Sequence, residues 1–324
     1  MTLKLDTPFD QYTRQTIVAD LINDLRENDT TKFKILDVGG YKGGTKASLP
    51  NDLVTVVDIV DMEEKDYVKA SALNLPFDDK SYDFVVSFDA LEHVQAKERK
   101  AFVSECLRVS NRGVIICAPH NSPRNALAEK NLNLLYKKIK NVPHRWLMEH
   151  IDNGLPEFSG LIQLAGKKGY HTVSAYSNDT DLWTLIQSGL LTNEEFPDAA
   201  PKLIALNKKY NRTFNRDILL DGSNAYRQIL FAFRSKKDAA AATKYIHQSE
   251  AASVLDRDRV VFEMVDYYVS LAEAIRNNQI DENRQLKSQI EHLERRIEDI
   301  TSSRSWKYAS KLSRAKAAIV KRRS

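Results

Sequence analysis

The sequence predicts an α/β fold in which a sheet lies between two layers of helices and a helical extension follows it. Three observations carry that prediction. The runs Phe33–Val38 and Leu53–Val57 are mainly apolar, interrupted only by Lys34, Asp37 and Thr55, as suits strands covered on both faces. The first runs straight into Gly39-Gly40-Tyr41-Lys42-Gly43-Gly44, a cluster that permits a tight turn and a close approach of backbone to a ligand. From Ala239 onward the strand pattern stops and helical spacing takes over.

Each element can be justified in turn. Ile17, Val18, Leu21, Ile22 and Leu25 recur at helical spacing, so a helix over Tyr12–Arg26 precedes the first strand and covers the ligand end of the sheet. Leu53–Asp58 is the second strand and closes on an acid. That acid lies about 20 residues after Asp37, where nucleotide-binding α/β folds place a carboxylate for ribose hydroxyls. A further strand ends just before Asp89, a helix follows over Lys97–Val109, and Gly113–Pro119 is the next strand. Ala126 to about Phe158 reads as a long polar insertion in place of a short connection. His171–Tyr176 and Gln228–Phe233 read as the last strands, which ends the domain near Ser235.

Composition bounds the function. A chain of 324 residues can bury a full α/β core with length to spare, and its formal charge of +4 is too near balance for a broad nucleic-acid footprint. Cys106 and Cys117 fall on a helix and a strand, so they read as buried free thiols of a reducing compartment. They form no metal-ligand spacing, and no metal ligands are assigned. The first ten residues hold no apolar signal core, and no segment is long and apolar enough to span a bilayer. A cytoplasmic protein is the expectation.

Four blocks narrow the ligand. Leu36-Asp37-Val38-Gly39-Gly40-Tyr41-Lys42-Gly43, the acid Asp58, Leu75-Pro76-Phe77, and Tyr82-Asp83-Phe84-Val85-Val86-Ser87 running on to Leu91-Glu92-His93-Val94 occur in this order. Together they resemble the class I S-adenosylmethionine-dependent methyltransferases of the small-molecule branch, between about residues 33 and 119. The resemblance implies a Rossmann-like sheet with S-adenosylmethionine as cofactor. It places Asp37, Gly39 and Gly43 at the amino-acid end of that cofactor, Asp58 on its ribose, Ser71 and Ala72 near its adenine, and Asp89 toward its sulfonium. Two departures stand out. Tyr41 replaces the middle glycine and Ser71 replaces the adenine-side acid.

The insertion concentrates the acid–base candidates. Glu149 and His150 lie in Pro143-His144-Arg145-Trp146-Leu147-Met148-Glu149-His150, after His120 at the end of a strand. A hydroxyl acceptor must lose its proton near attack, and histidine is suited to take it near neutral pH. Capping or a surface ion pair is the structural alternative for Glu149 and His150. In the family His93 shapes the loop behind the cofactor. The run continues to Gly154-Leu155-Pro156 and resembles methyltransferases of bacterial surface-glycan gene clusters.

The last quarter is organised differently. Val261, Val265, Tyr268, Ala272 and Ile275 form one helical seam, and Leu286, Ile290, Leu293, Ile297 and Ile300 form a second among charged residues. The second reads as an oligomeric coiled coil, with a lone helix docked on its own domain as the alternative. The segment 302–324 contains no acid. Wound as a helix it would separate Trp306, Leu312 and Ile319 from Arg304, Lys307, Lys311 and Arg314, which suits an anionic membrane surface. RNA binding and disorder are its alternatives.

These readings divide the chain into a methyltransferase domain at 1–236, a helical linker at 237–280, a coiled coil at 281–301 and a basic tail at 302–324. The expected activity is O-methylation of a bacterial surface glycan or its lipid-linked precursor at the inner membrane face. A small-metabolite or lipid acceptor, and an inactive scaffold for glycan-assembly enzymes, are the alternatives.

Overall fold

The computed structural model describes residues 3–26, 31–41, 44–213, 218–219, 221–252 and 257–302, and its strands join in one sheet. Chain order begins with α1 (Phe9–Asp24), β1 (Lys34–Val38), α2 (Gly44–Ser48), β2 (Leu53–Asp58), β3 (Tyr67–Lys69) and β4 (Tyr82–Phe88). After a single turn of 3-10 helix at Leu91–His93 come α3 (Arg99–Val109), β5 (Ser110–Pro119), α4 (Pro123–Lys140), α5 (Arg145–Asn153) and α6 (Phe158–Lys167). The chain then runs through β6 (His171–Asp179), α7 (Thr180–Asn193), α8 (Ala200–Thr213), β7 (Ile218–Leu219), β8 (Ala225–Phe233), α9 (Lys236–Ala252) and α10 (Arg257–Ser302).

The sheet order is β3-β2-β1-β4-β5-β8-β6-β7. The first five strands in that order are mutually parallel, and β8 enters antiparallel between β5 and β6. Strand order reverses at β1, which pairs with β2 on one side and β4 on the other. In such sheets the crevice beyond the carboxyl ends of the strands at that reversal is where ligands bind.

Both faces are covered, and the period of two along a strand shows it. On β5, Ile115 and Cys117 pack with Ile17, Leu21 and Ile22 of α1 and Tyr245 of α9, while Val114 and Ile116 pack with Phe102 and Cys106 of α3 and Leu161 of α6. Both cysteines are buried and free. Burial pushes the Cys117 thiol up to about 12, and raises that of Cys106 as well.

Three features differ from the sequence expectations. The insertion expected as a long polar connection is helical. Ser122 caps α4 by accepting the Asn125 N–H at 3.1 Å, Pro123 takes the first position, and Asn141 ends the helix at φ 60°. Its narrow apolar stripe, Ala128 and Leu132, packs with Leu147 of α5, Trp183 of α7 and Tyr226 of β8, while Leu127, Leu134 and Trp146 of the insertion stay exposed. Second, α7 and α8 fill the stretch between β6 and β8, where no element was expected. Third, the seam on α10 is shifted by one residue. Val260, Met264 and Tyr267 are buried, whereas Val261 and Val265 are about half exposed, at 45% and 54%. The reason is that the Tyr267 hydroxyl bonds Asn193 Oδ1 at 2.7 Å and the Tyr268 hydroxyl donates to the Leu185 carbonyl at 2.6 Å, which sets the face turned to α7.

Met1–Tyr268 make one compact unit and Val269–Ser324 a second. In the second, α10 continues to Ser302 and exposes Leu286, Ile290, Leu293 and Ile297. The basic tail lies outside the described residues from 303 onward. No helix among the described residues is long and apolar enough to cross a membrane.

Candidate active site

At the reversal point the turn after β1 brings three groups together. Gly39 sits at φ +78°, where side chains are strained, and a Cβ there would lie 2.4 Å from the Ala90 Cβ just beyond β4. A Cβ on Gly40 would lie 2.3 Å from the Asp37 carboxyl, so only glycine lets the chain fold back over that acid. Asp37 is 1% exposed and its Oδ1 has no hydrogen-bond partner. Burial pushes its carboxyl up to about 6, with Thr45 opposing and the Asp58 charge adding to the rise.

Asp58 ends the neighbouring strand, and its Oδ1 accepts the Val60 N–H at 3.1 Å. It forms no ion pair among the described residues. Beside it Ile59 is 72% exposed. Ser71 follows β3 and accepts the Leu73 N–H at 3.2 Å, with Ala72 half-buried next to it. Gly43 lies outside the described residues.

Asp89 is held by two cations. Arg227 of β8 donates from Nε and Nη2 to its two carboxylate oxygens, both at 2.7 Å, and Arg14 of α1 lies 2.7 Å from Oδ2. These arginines also share Asp10, at 3.1 and 3.3 Å. Burial would raise the Asp89 carboxyl, but Arg14 and Arg227 overcome it and hold the group well below the usual carboxylate range. The network ties α1 to the ends of β4 and β8, so the helix stands over this end of the sheet.

Three residues past Asp89, the 3-10 turn meets α5. His93 Nδ1 lies 2.8 Å from Glu149 Oε2, and His150 Nδ1 lies 2.9 Å from Glu129 Oε1. The remaining ring nitrogens face each other, with Nε2 to Nε2 at 3.4 Å. Glu129 also accepts the Tyr226 hydroxyl at 2.7 Å, and Arg145 lies 3.1 Å from Glu149. Glu92 is 1% exposed, and neither of its carboxyl oxygens has a hydrogen-bond partner. Burial, with Asp89 adding, pushes the Glu92 carboxyl up to about 8. Burial and the neighbouring His150 lower His93, whereas for His150 burial is outweighed by Glu129 and Glu92 and the ring is raised.

The structure therefore joins Glu149 and His150 to His93. His120 stands apart from them. Its Nε2 donates to the Ala225 carbonyl at 2.9 Å and its ring lies edge-on to Tyr176 at 5.3 Å. Burial lowers its basicity. Sequence reasoning missed Glu92, Glu129, Arg14 and Arg227. Only Glu92 carried a local signal, as the neighbour of His93; the others arrive from α4, α1 and β8, far away in the chain.

A cavity of about 480 Å³ lined by Lys34, Leu53, Thr55, Asp66, Phe77 and Tyr82 opens at the opposite, amino-terminal end of the strands. No glycine turn or unpaired buried acid lines it, so the chemistry favours the carboxyl end.

Residues 36–118 match the family described as methyltransferase domain. That span runs from β1 through β5 and contains the glycine turn, Asp58, Asp89 and His93, so the chain carries a methyltransferase domain. Among curated proteins none matches the chain significantly. Several solved structures are similar. A SAM-dependent methyltransferase from Thermotoga maritima shares 13% identity, with 70% of this chain and 93% of that one covered and a TM-score of 0.42. Magnesium protoporphyrin IX methyltransferase from Synechocystis, solved with bound SAH, shares 14% over 70% and 86%, with a TM-score of 0.40. The YcgJ protein of Bacillus subtilis shares 14% over 69% and 99%, with a TM-score of 0.42.

Proposed function

We propose that this chain transfers the methyl group of S-adenosylmethionine to a hydroxyl of a glycan or a lipid-linked glycan precursor. One observation carries the cofactor assignment: Asp37 presents a buried carboxyl oxygen with no partner beside a turn that only glycine can make. A cationic amino group against that turn would satisfy it. Asp58, free of ion pairs among the described residues, suits two hydroxyl donors, and the exposed Ile59 beside it suits the apolar face of a purine. The residues present thus fit both polar ends of the cofactor, which supplies an electrophilic methyl on a sulfonium.

Methyl transfer forms a bond from acceptor oxygen to the methyl carbon as the carbon–sulfur bond breaks, and the oxygen must shed its proton. The His93–His150 pair provides the place for that proton to go, because Ala90 abuts the Gly39 turn and Glu92 and His93 follow within three residues. Helices α4 and α5 stand over this centre. Trp146 of α5, 57% exposed, offers the flat apolar surface against which a sugar ring packs. The resemblance of the His144–Pro156 run to surface-glycan enzymes supports the same acceptor class.

We assign self-association to the exposed stripe Leu286, Ile290, Leu293 and Ile297, whose spacing is that of a coiled-coil seam. The acid-free tail, outside the described residues, would bring the enzyme to an anionic membrane surface where lipid-linked acceptors reside. The test is mass spectrometry of surface glycans from cells with and without the chain. A lost methyl group supports the reading. Unchanged glycans alongside transfer to a small metabolite would replace the acceptor.

A further inference from the structure

We propose that Glu92, His93 and His150 form a binding site for a divalent first-row transition cation, Zn²⁺ foremost, at the carboxyl end of β4. Each of the three offers one ligand atom, and these atoms lie within 4.8 Å of one another. The two imidazole Nε2 atoms are 3.4 Å apart. Two nitrogens bonded to one zinc at about 2.0–2.1 Å each, at a tetrahedral angle, stand at nearly that separation.

The protonation pattern argues in the same direction. A carboxylate accepts hydrogen bonds, so Glu149 places the His93 proton on Nδ1 and Glu129 places the His150 proton on Nδ1. With both rings neutral each Nε2 carries a lone pair aimed at the other across 3.4 Å, and a proton on either one makes the contact a hydrogen bond. A cation in place of that proton would be bonded by both nitrogens. Carboxylates behind both rings are the arrangement that orients histidine ligands on a metal and raises their basicity.

Glu92 supplies the third, independent observation. Its side chain is buried and both oxygens lack a hydrogen-bond partner among the described residues. Burying a carboxyl with no hydrogen-bond partner is costly, and a cation ligated by its oxygens would offset that cost. Two imidazoles and one carboxylate suit a borderline transition ion better than Mg²⁺, and three protein ligands leave a coordination position open. On the proposed reading of the site, an acceptor hydroxyl taken up at that position would be polarised by the ion, which would then ease its proton away in place of the two imidazoles, whose Nε2 lone pairs the ion would occupy. The binding itself does not depend on that reading.

The full-length, tag-free chain is stripped with chelator, and then titrated with Zn²⁺, Co²⁺ and Mg²⁺ by calorimetry, with visible absorption recorded for Co²⁺. The expected result is one equivalent of Zn²⁺ and of Co²⁺, a Co²⁺ ligand-field band, and much weaker Mg²⁺ binding. Glu149→Gln, on a partly exposed helix, should keep the fold by circular dichroism and lower Zn²⁺ affinity about 10- to 100-fold. His93→Ala with His150→Ala should abolish the Co²⁺ band. A natively folded wild type without stoichiometric Zn²⁺ uptake, or equal uptake by the double variant, overturns the proposal. Zn²⁺ binding without cofactor binding would uphold this site while rejecting the methyl-transfer reading. Cofactor binding and turnover indifferent to metal, with no Zn²⁺ uptake, would do the reverse.

Discussion

Arg227 grips both carboxylate oxygens of Asp89 at 2.7 Å from a position where its own side chain is only 3% exposed. The pair spans 138 residues of sequence and joins the end of β4 to β8. In the folded chain the Asp89 carboxylate pairs with two guanidinium groups, Arg227 and Arg14.

Removing one side of this network should be expensive. Arg227→Met leaves Asp89 and Asp10 sharing Arg14 alone, and the expected loss is about 3–5 kcal/mol, as for a buried charge stripped of its partner. Urea unfolding at neutral pH measures it; a loss under about 1 kcal/mol would mean the network is solvated. The folded pKa of Asp89 is depressed, so its stabilisation is present above the unfolded value of about 4 and fades as pH falls below that toward the folded one.

Asp37 has the opposite sign. Its carboxyl is raised from 3.8 to about 6 in the folded chain, so the native state favours the protonated form. Stability from this group is greatest below about 3.8 and declines as pH rises through about 6, by on the order of 3 kcal/mol. Asp37→Asn should erase that decline and be the more stable protein at pH 8 without cofactor. Parallel pH dependences for variant and wild type in denaturant titrations would show that the carboxyl is solvated.

Asp58→Ala should lose cofactor affinity while the domain stays folded, because the side chain is half-buried and makes no ion pair among the described residues. Leaving two hydroxyl donors without a charged acceptor costs about 1–3 kcal/mol, or roughly 5- to 150-fold in Kd. Calorimetry with S-adenosylmethionine reads this directly, and an unchanged Kd takes Asp58 out of the site.

His150→Ala should reduce turnover by about two to four orders of magnitude with little change in cofactor Kd. Its ring contacts Glu129 and His93, not the Gly39 turn. Comparing kcat with calorimetric affinity separates the roles, and activity equal to wild type would make the Glu129–His150 pair structural.

Leu293→Asp should disperse the oligomer without affecting turnover on a soluble acceptor. Leu293 is 53% exposed on the same stripe as Ile290 and Ile297, so a carboxylate there is harmless in a monomer and costly in a coiled-coil seam. Sedimentation velocity decides it; a wild type that is already monomeric refutes the assignment.

The sequence by itself determined the four strands β1, β2, β4 and β5, the glycine turn and the acid at Asp58, though not the short β3, since each rests on local pattern: mainly apolar runs, a glycine cluster, a spacing of about 20 residues. It also picked out Glu149 and His150 as chemistry-bearing residues in an insertion. The tertiary structure alone decided which residues those two meet. Consecutive positions on a helix point about 100° apart, so Glu149 reaches one nitrogen of His93 while His150 faces the other and rests on Glu129. The same limit hid Arg14 and Arg227, whose charges look ordinary until β8 inserts beside β5 and α1 closes over the sheet, and it shifted the α10 seam from Val261 to Val260. Periodicity shows that a helix has an apolar face. The direction that face turns, and the partner each buried charge finds there, are set by packing between segments far apart in the chain.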